Sequence, residues 1–345
     1  MIRRGESPLC EAAAARLPAR THVRAQMLFS PPTHTVTAEA ESACGTHKLL
    51  LRLEDGLEVE TVVIPMRGEA DGRSEASGAR STLCLSSQVG CAQACRFCAT
   101  GRMGRKRSLR AEEILAQVYE GAGLARRLGL PAIRNAVFMG MGEPLDNCEA
   151  VEHALDVMTH QHGFSLAPRH VTLSTVAPSV EAVRRLRQWP ARPAWSLHAA
   201  DDRLRKMLVP SARHRVAALR DAFAEVQEAT RRPLLVECTL IRGVNDQAEH
   251  ARQLVALLQP LARVKVNLIP YNRNLGLGSV GDRFEPSPAE SVDAFRRLVV
   301  EAGLFCSVRR QRGAESAAAC GMLATAQNRR TSPRDENSVV RPGRK

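Results

Sequence analysis

From about residue 80 onward the chain alternates short apolar runs with longer amphipathic stretches, and this alternation narrows the possible folds more than any other feature. STLCLSS, NAVFMGM, HVTLSTV, PAWSLHA, PLLVECTLI and VKVNLIP read as six strands. Between them lie AEEILAQVYEGAGLARRL, EAVEHALDVMTH, SVEAVRRLRQW, RVAALRDAFAEVQEAT and AEHARQLVALLQPL, in which apolar residues recur at three and four, the period of a helix. Strands separated by helices pair in parallel, and right-handed crossovers gather the strand ends at one mouth, where sites in such sheets form. The pattern predicts an α/β fold, a partial parallel (β/α)6 barrel, with an open doubly wound sheet as the alternative closure. After the sixth strand YNRNLGLGSVGDRFEPSP is a long loop and a candidate lid, followed by a helix in ESVDAFRRLVVEAG and a last strand in FCSVRR.

The chain divides into three expected parts: an N-terminal appendage over 1–79, the barrel over 80–323, and a basic tail over 324–345. In the appendage, KLLLRLEDGLEVETVVIP reads as a small β region turning at Glu54 to Gly56, preceded by one short helix-like piece. MRGEADGRSEASGARS, without periodicity, reads as a loop into the first barrel strand, and the tail reads as disordered. With 345 residues and 44% hydrophobic content the chain can bury one large core. No apolar run reaches the roughly 18 residues of a membrane span, and Glu11 and Arg16 interrupt any signal-like start, so a cytoplasmic address is expected. A net charge of +13 favours a polyanionic partner such as nucleic acid, with a solubilising surface as the alternative reading, and part of the excess sits in the tail.

Ten cysteines without a secretion signal do not suggest a disulfide framework. Cys10, Cys44, Cys148, Cys238 and Cys306 are scattered, whereas CAQACRFC sets Cys91, Cys95 and Cys98 at spacings of four and three directly after the first barrel strand. Three close thiolates suit an iron-sulfur cluster, and three ligands leave one iron of a four-iron cluster open for substrate. A structural zinc site would need a fourth ligand, and Cys84 is near enough in sequence to keep that alternative open.

The ordered segments CLSSQVGCAQACRFCATG, FMGMGEPL, TLSTV, WSLHA, GVND, NLIPYN and AAACGML resemble the RlmN and Cfr family of radical S-adenosylmethionine RNA methyltransferases over roughly residues 55 to 323. The resemblance implies a 4Fe-4S cluster on Cys91, Cys95 and Cys98, and S-adenosyl-L-methionine held by Gly142, Glu143, Ser174, Ser196, Leu197, His198 and Asn272. It further implies that Cys320 carries a methyl group and that Glu60 accepts the proton of the target ring. Cys84 would then attack Cys320 and release the product as a disulfide. The implied partners are ribosomal RNA, transfer RNA in some members, and an electron donor such as flavodoxin or ferredoxin. Adenine position 2 is the expected target, because housekeeping members outnumber resistance-conferring ones, with position 8 the alternative; a radical enzyme acting on another substrate is the more distant one. Two segments depart from the family: VPSARHR stands where many members have Pro-x-Asn-Arg, and Ala177 stands where glycine is common. The appendage is also shorter than usual, which bears on RNA selection.

Overall fold

The computed structural model describes residues 34–66, 78–274, 283–309, 318 and 321–323. Its strands are β1 (Thr35–Glu41), β2 (His47–Arg52), β3 (Glu58–Met66), β4 (Arg80–Cys84), β5 (Gln88–Val89), β6 (Arg107–Ser108), β7 (Ile133–Phe138), β8 (Val171–Thr175), β9 (Arg192–Ser196), β10 (Leu234–Leu240), β11 (Val264–Pro270) and β12 (Phe305–Val308). The helices are α1 (Ala99–Arg102), α2 (Ala111–Arg127), α3 (Cys148–Thr159), α4 (Val180–Arg185), α5 (Asp202–Leu208), α6 (Val216–Thr230), α7 (Ala248–Leu258) and α8 (Ala289–Glu301).

Ten strands form one sheet in the order β1-β2-β3-β4-β7-β8-β9-β10-β11-β12. From β4 to β12 every pairing is parallel, which is what the alternation of strand-like and helix-like segments requires. The six expected parallel strands are present and FCSVRR supplies a seventh, β12, beside β11. Parallel strands are covered by helices on their faces and therefore need apolar residues almost continuously; Leu83, Leu173, Val236 and Leu268 are all 0% exposed. The edges of the sheet are β1 and β12. The solvent-exposed β1 carries Glu39 and Glu41, which discourages further strand pairing.

The β region expected as an appendage extends the main sheet: β3 pairs antiparallel with β4, setting Val62 opposite Cys84. Its hairpin turns where expected, with Leu53 N–H donating to Leu57 O at 2.7 Å and Gly56 at φ 79°. The helix-like piece expected further up the chain, most of the 66–81 loop and the tail lie outside the described residues.

Two local expectations change. SVEAVRRLRQW reads as one helix to Trp189, but α4 stops at Arg185; the chain turns so that Trp189 is buried at 1% exposed, and Pro190 cannot continue a helix. The seven-residue α5 is too short for periodicity to reveal; Asp201 caps it, its Oδ1 accepting from Leu204 N–H at 2.7 Å. Among the described residues no helix is long and apolar enough to cross a membrane.

Candidate active site

The loops that follow the parallel strands converge on a cavity of about 140 Å³. Of the residues singled out in the sequence, Cys91, Cys95, Cys98, Gly142, Glu143, Ser174, Ser196, His198 and Asn272 line it. They come from five separate segments, brought together because successive parallel strands deliver their C-terminal loops to the same end of the sheet.

The cysteine loop is held by its neighbours. Arg96 N–H donates to Leu208 O at 3.0 Å, Cys98 N–H to Cys95 O at 3.1 Å, and Gln93 Nε2 to Asp146 Oδ2 at 2.6 Å. Burial pushes the Cys91 and Cys95 thiols well up, and the neighbouring thiols add to this, so these sulfurs ionise only with a compensating cationic centre. A zinc tetrahedron with Zn–S near 2.3 Å would hold its sulfurs roughly 4 Å apart. Among the described residues no three His, Cys, Asp or Glu side chains converge on a single-ion site. Three thiolates on one short loop suit three corners of a four-iron cube and leave the fourth iron open.

Opposite the thiols, Gly142 has φ 97°, and a Cβ there would lie 2.6 Å from Gln88 Cβ and 2.7 Å from Gln88 N. Only glycine lets the loop pass this close. The next residue is clamped: Glu143 N–H donates to Gln88 Oε1 at 3.0 Å, Glu143 Oε1 accepts from Leu145 N–H at 3.0 Å, and Oε2 accepts from Val176 N–H at 2.9 Å. Burial pushes its carboxyl up to about 7 despite these bonds. A buried carboxylate that needs a cationic partner suits the amino group of an amino-acid moiety.

Ser174 and Ser196 sit at the ends of β8 and β9 with their hydroxyls 2.8 Å apart, and Ser174 Oγ donates to Glu237 Oε2 at 3.1 Å. Asn267 Nδ2 donates to the other oxygen of Glu237 at 3.3 Å. His198 follows β9 in the left-handed region at φ 63°. Asn245, from the GVND segment, fixes it there by donating to its carbonyl at 2.8 Å. The imidazole lies 4.5 Å from the Phe97 ring, and its Nδ1 accepts from Thr239 N–H at 3.2 Å, so the other nitrogen carries the proton. Burial, then the nearby Arg205 cation, pushes His198 down to about 3. Ala177 adopts φ 58°, a conformation that explains why glycine is common at that position of the family.

The remaining singled-out residues lie elsewhere. Leu197 has its side chain in the core at 0% exposed, and its N–H donates to Glu237 O at 3.0 Å, so it is not in the cavity wall. Glu60 and Cys84 are also outside that wall, on the neighbouring β3 and β4. Glu60 is joined to the cavity loops through Ser86, whose hydroxyl donates to Glu60 O at 2.6 Å and accepts from Met141 N–H at 2.9 Å. Its Oε1 pairs with Lys48 Nζ at 3.0 Å, while its buried Oε2 has no hydrogen-bond partner among the described residues. Cys320 lies outside the described residues. The residues after it are placed: Ala99 N–H donates to Gly321 O at 2.7 Å, Thr100 Oγ1 to Leu323 O at 2.6 Å, and Asn274 Nδ2 to Phe97 O and Gly321 O at 3.2 and 3.1 Å.

Sequence reasoning missed Gln88, Gln93, Glu237 and Asn274. Glu237 left a signal, a carboxylate inside the apolar run PLLVECTLI, whereas the others are polar residues in loops that look like any loop.

A cluster loop after the first parallel strand, facing polar groups on the ends of the strands that follow, is the arrangement of a radical S-adenosylmethionine enzyme, and residues 85–255 match the Radical SAM superfamily. A solved radical SAM methyltransferase from Sphaerobacter thermophilus is 34% identical with a TM-score of 0.80, covering 90% of this chain and 87% of that one. The Dual-specificity RNA methyltransferase RlmN of Sorangium cellulosum (strain So ce56) is 40% identical over 340 residues, covering 90% of this chain and 85% of that protein. The protein of the same name from Campylobacter jejuni (strain RM1221) is 37% identical over 307 residues, covering 87% and 83%. The chain belongs to this RlmN family of radical S-adenosylmethionine methyltransferases, whose cofactors are a 4Fe-4S cluster and S-adenosylmethionine.

Proposed function

We propose that this enzyme methylates a ring carbon of adenine in RNA, at position 2, by way of a methyl group carried on Cys320, and that ribosomal and transfer RNA are its substrates. The observation that carries this reading is the docking of residues 321–323 on the cluster loop, because it ties the chain next to Cys320 to the cavity wall through Gly321. Position 2 of adenine is electron-poor and does not attack a sulfonium methyl, so ordinary displacement fails there. When bound, the cluster and S-adenosylmethionine supply the methyl group and, after one-electron reduction, the 5′-deoxyadenosyl radical.

The chain's own residues divide the other work. Cys91, Cys95 and Cys98 hold the cluster, and the clamped Glu143 orients the amino group of the methionine moiety from a loop that Gly142 allows to approach. Ser174, Ser196 and Asn272 add short polar contacts, and neutral His198 packs on Phe97 without bringing a second charge. Cys320 presents the carbon to the base, and the Oε2 of Glu60, without a hydrogen-bond partner among the described residues, accepts the ring proton. With the adduct's unpaired electron returned to the cluster, the Cys84 thiolate attacks the Cys320 sulfur, the Cys320 S–C bond breaks, the released methylene takes up a proton to become the product's methyl group, and the two sulfurs are left as a disulfide that must be reduced before the next turnover. An external one-electron donor such as flavodoxin or ferredoxin serves the cluster.

Replacing Cys320 by alanine should abolish RNA methylation while leaving cleavage of S-adenosylmethionine intact. Mass spectrometry of nucleosides from ribosomal and transfer RNA reads the outcome. Appearance of 8-methyladenosine in place of 2-methyladenosine would overturn the position, and methylation by the variant would overturn the methyl-carrier role.

A further inference from the structure

Beside the cluster loop, but outside the cavity, α5 and residues 210–215 form an open groove of about 870 Å³. Arg96, Arg203, Arg205, Lys206, Arg213 and Arg215 line it against one carboxylate, Asp202. That carboxylate is already engaged, accepting from Val216 N–H at 2.8 Å and facing Arg215 Nε at 3.5 Å. The groove therefore presents a strong uncompensated positive field.

Its position is specific. Arg96 directly follows the cluster ligand Cys95, and its N–H bond to Leu208 O ties the end of α5 to the cluster loop. Arg205 is buried at 1% exposed, its Nη2 donates to the carbonyl of Val176, a cavity residue, and its Nε has no partner among the described residues. A cation thus stands in the partition between groove and cavity, and no residue lines both.

We propose that this groove docks an acidic one-electron carrier protein that reduces the cluster. The inference rests on the radical reading above and adds where the electron enters. One electron leaves the carrier's reduced centre and arrives at the cluster through the Arg96 side of its loop; the carrier is oxidised by one, the cluster reduced by one, and no bond breaks. S-adenosylmethionine and the target base fill the cavity during turnover, so reduction needs a second approach, and the groove is one. Among the described lining residues His214 is the one ring on which an unpaired base could stack, too few for a single-strand platform, whereas a carboxylate-bearing protein surface needs only complementary charge.

The test uses the full-length, cluster-containing protein and its Arg203→Glu/Arg213→Glu variant, both changes on exposed side chains. Flavodoxin is the probe, with a ribosomal RNA fragment as the competing ligand. The variant should bind flavodoxin about tenfold or more weakly, and flavodoxin hydroquinone should reduce its cluster correspondingly slowly by stopped-flow absorbance. Reduction by dithionite and affinity for the RNA should stay within twofold of the parent. Unchanged flavodoxin binding overturns the proposal, as does a loss of RNA affinity, which would make the groove an RNA track. A parent protein with no cluster reducible by dithionite would instead overturn the radical reading, leaving the binding comparison to decide the docking surface.

Discussion

Gly142→Ala is the substitution whose effect follows most directly from the geometry. At φ 97° an alanine is strained, which costs roughly 1–2 kcal/mol. Its Cβ would also lie 2.6–2.7 Å from Gln88 Cβ, Cγ and N. Gln88 cannot withdraw without loss: its N–H donates to Met141 O at 3.2 Å, and its Oε1 accepts the N–H of Glu143. Losing one such bond at a buried group costs about 1–3 kcal/mol. The two effects together displace the loop by roughly 2–5 kcal/mol, and even the lower figure corresponds to about a 30-fold weaker hold on S-adenosylmethionine. Equilibrium binding of the cofactor to cluster-reconstituted protein measures this, with iron content and melting temperature showing that the fold and cluster persist. A variant that binds within threefold of the parent with an unchanged Tm would refute the close-approach argument.

Three further outcomes are expected. With its carboxyl pushed up to about 7, Glu143 contributes stability that is full below the ordinary carboxylate range and is lost as pH rises through 7; relative to the parent, metal-free Glu143→Gln should gain roughly 2–3 kcal/mol between pH 5 and pH 8 in denaturant titrations, and a pH-independent difference would contradict the assignment. His198, pushed down to about 3, contributes stability that is present above its ordinary value and lost as pH falls toward 3. Its ring resonances should accordingly stay constant from pH 5 to 8, and a midpoint near 6.5 by NMR would show that the ring is solvated. Asn274→Ala removes the donor that joins Gly321 O to Phe97 O, and should lower RNA methylation about tenfold with iron content unchanged; retention of full activity would mean that Asn274 does not position the Cys320 segment.

The alternation of apolar runs and amphipathic stretches settled the parallel order of the sheet, because a strand buried on both faces and a helix buried on one leave different periods in the chain. The thiol spacing in CAQACRFC likewise marked the cluster loop, since those three ligands are local and a loop of eight residues must hold them together. Cavity residues from GMGEP, TLSTV, WSLHA and NLIPYN were legible through the family resemblance and through their position at strand ends. Tertiary structure alone decided the rest. It joined β3 to the main sheet, turned Leu197 into the core, and drew residues 321–323 back onto Thr100 and Phe97 across more than 200 residues of chain. It also set Arg96 and the arginines of α5 in one groove beside the cluster. Periodicity and spacing are properties of neighbours in sequence, and they report only what neighbours do; the partners of a buried charge and the meeting of distant loops are fixed by packing, which no local pattern carries.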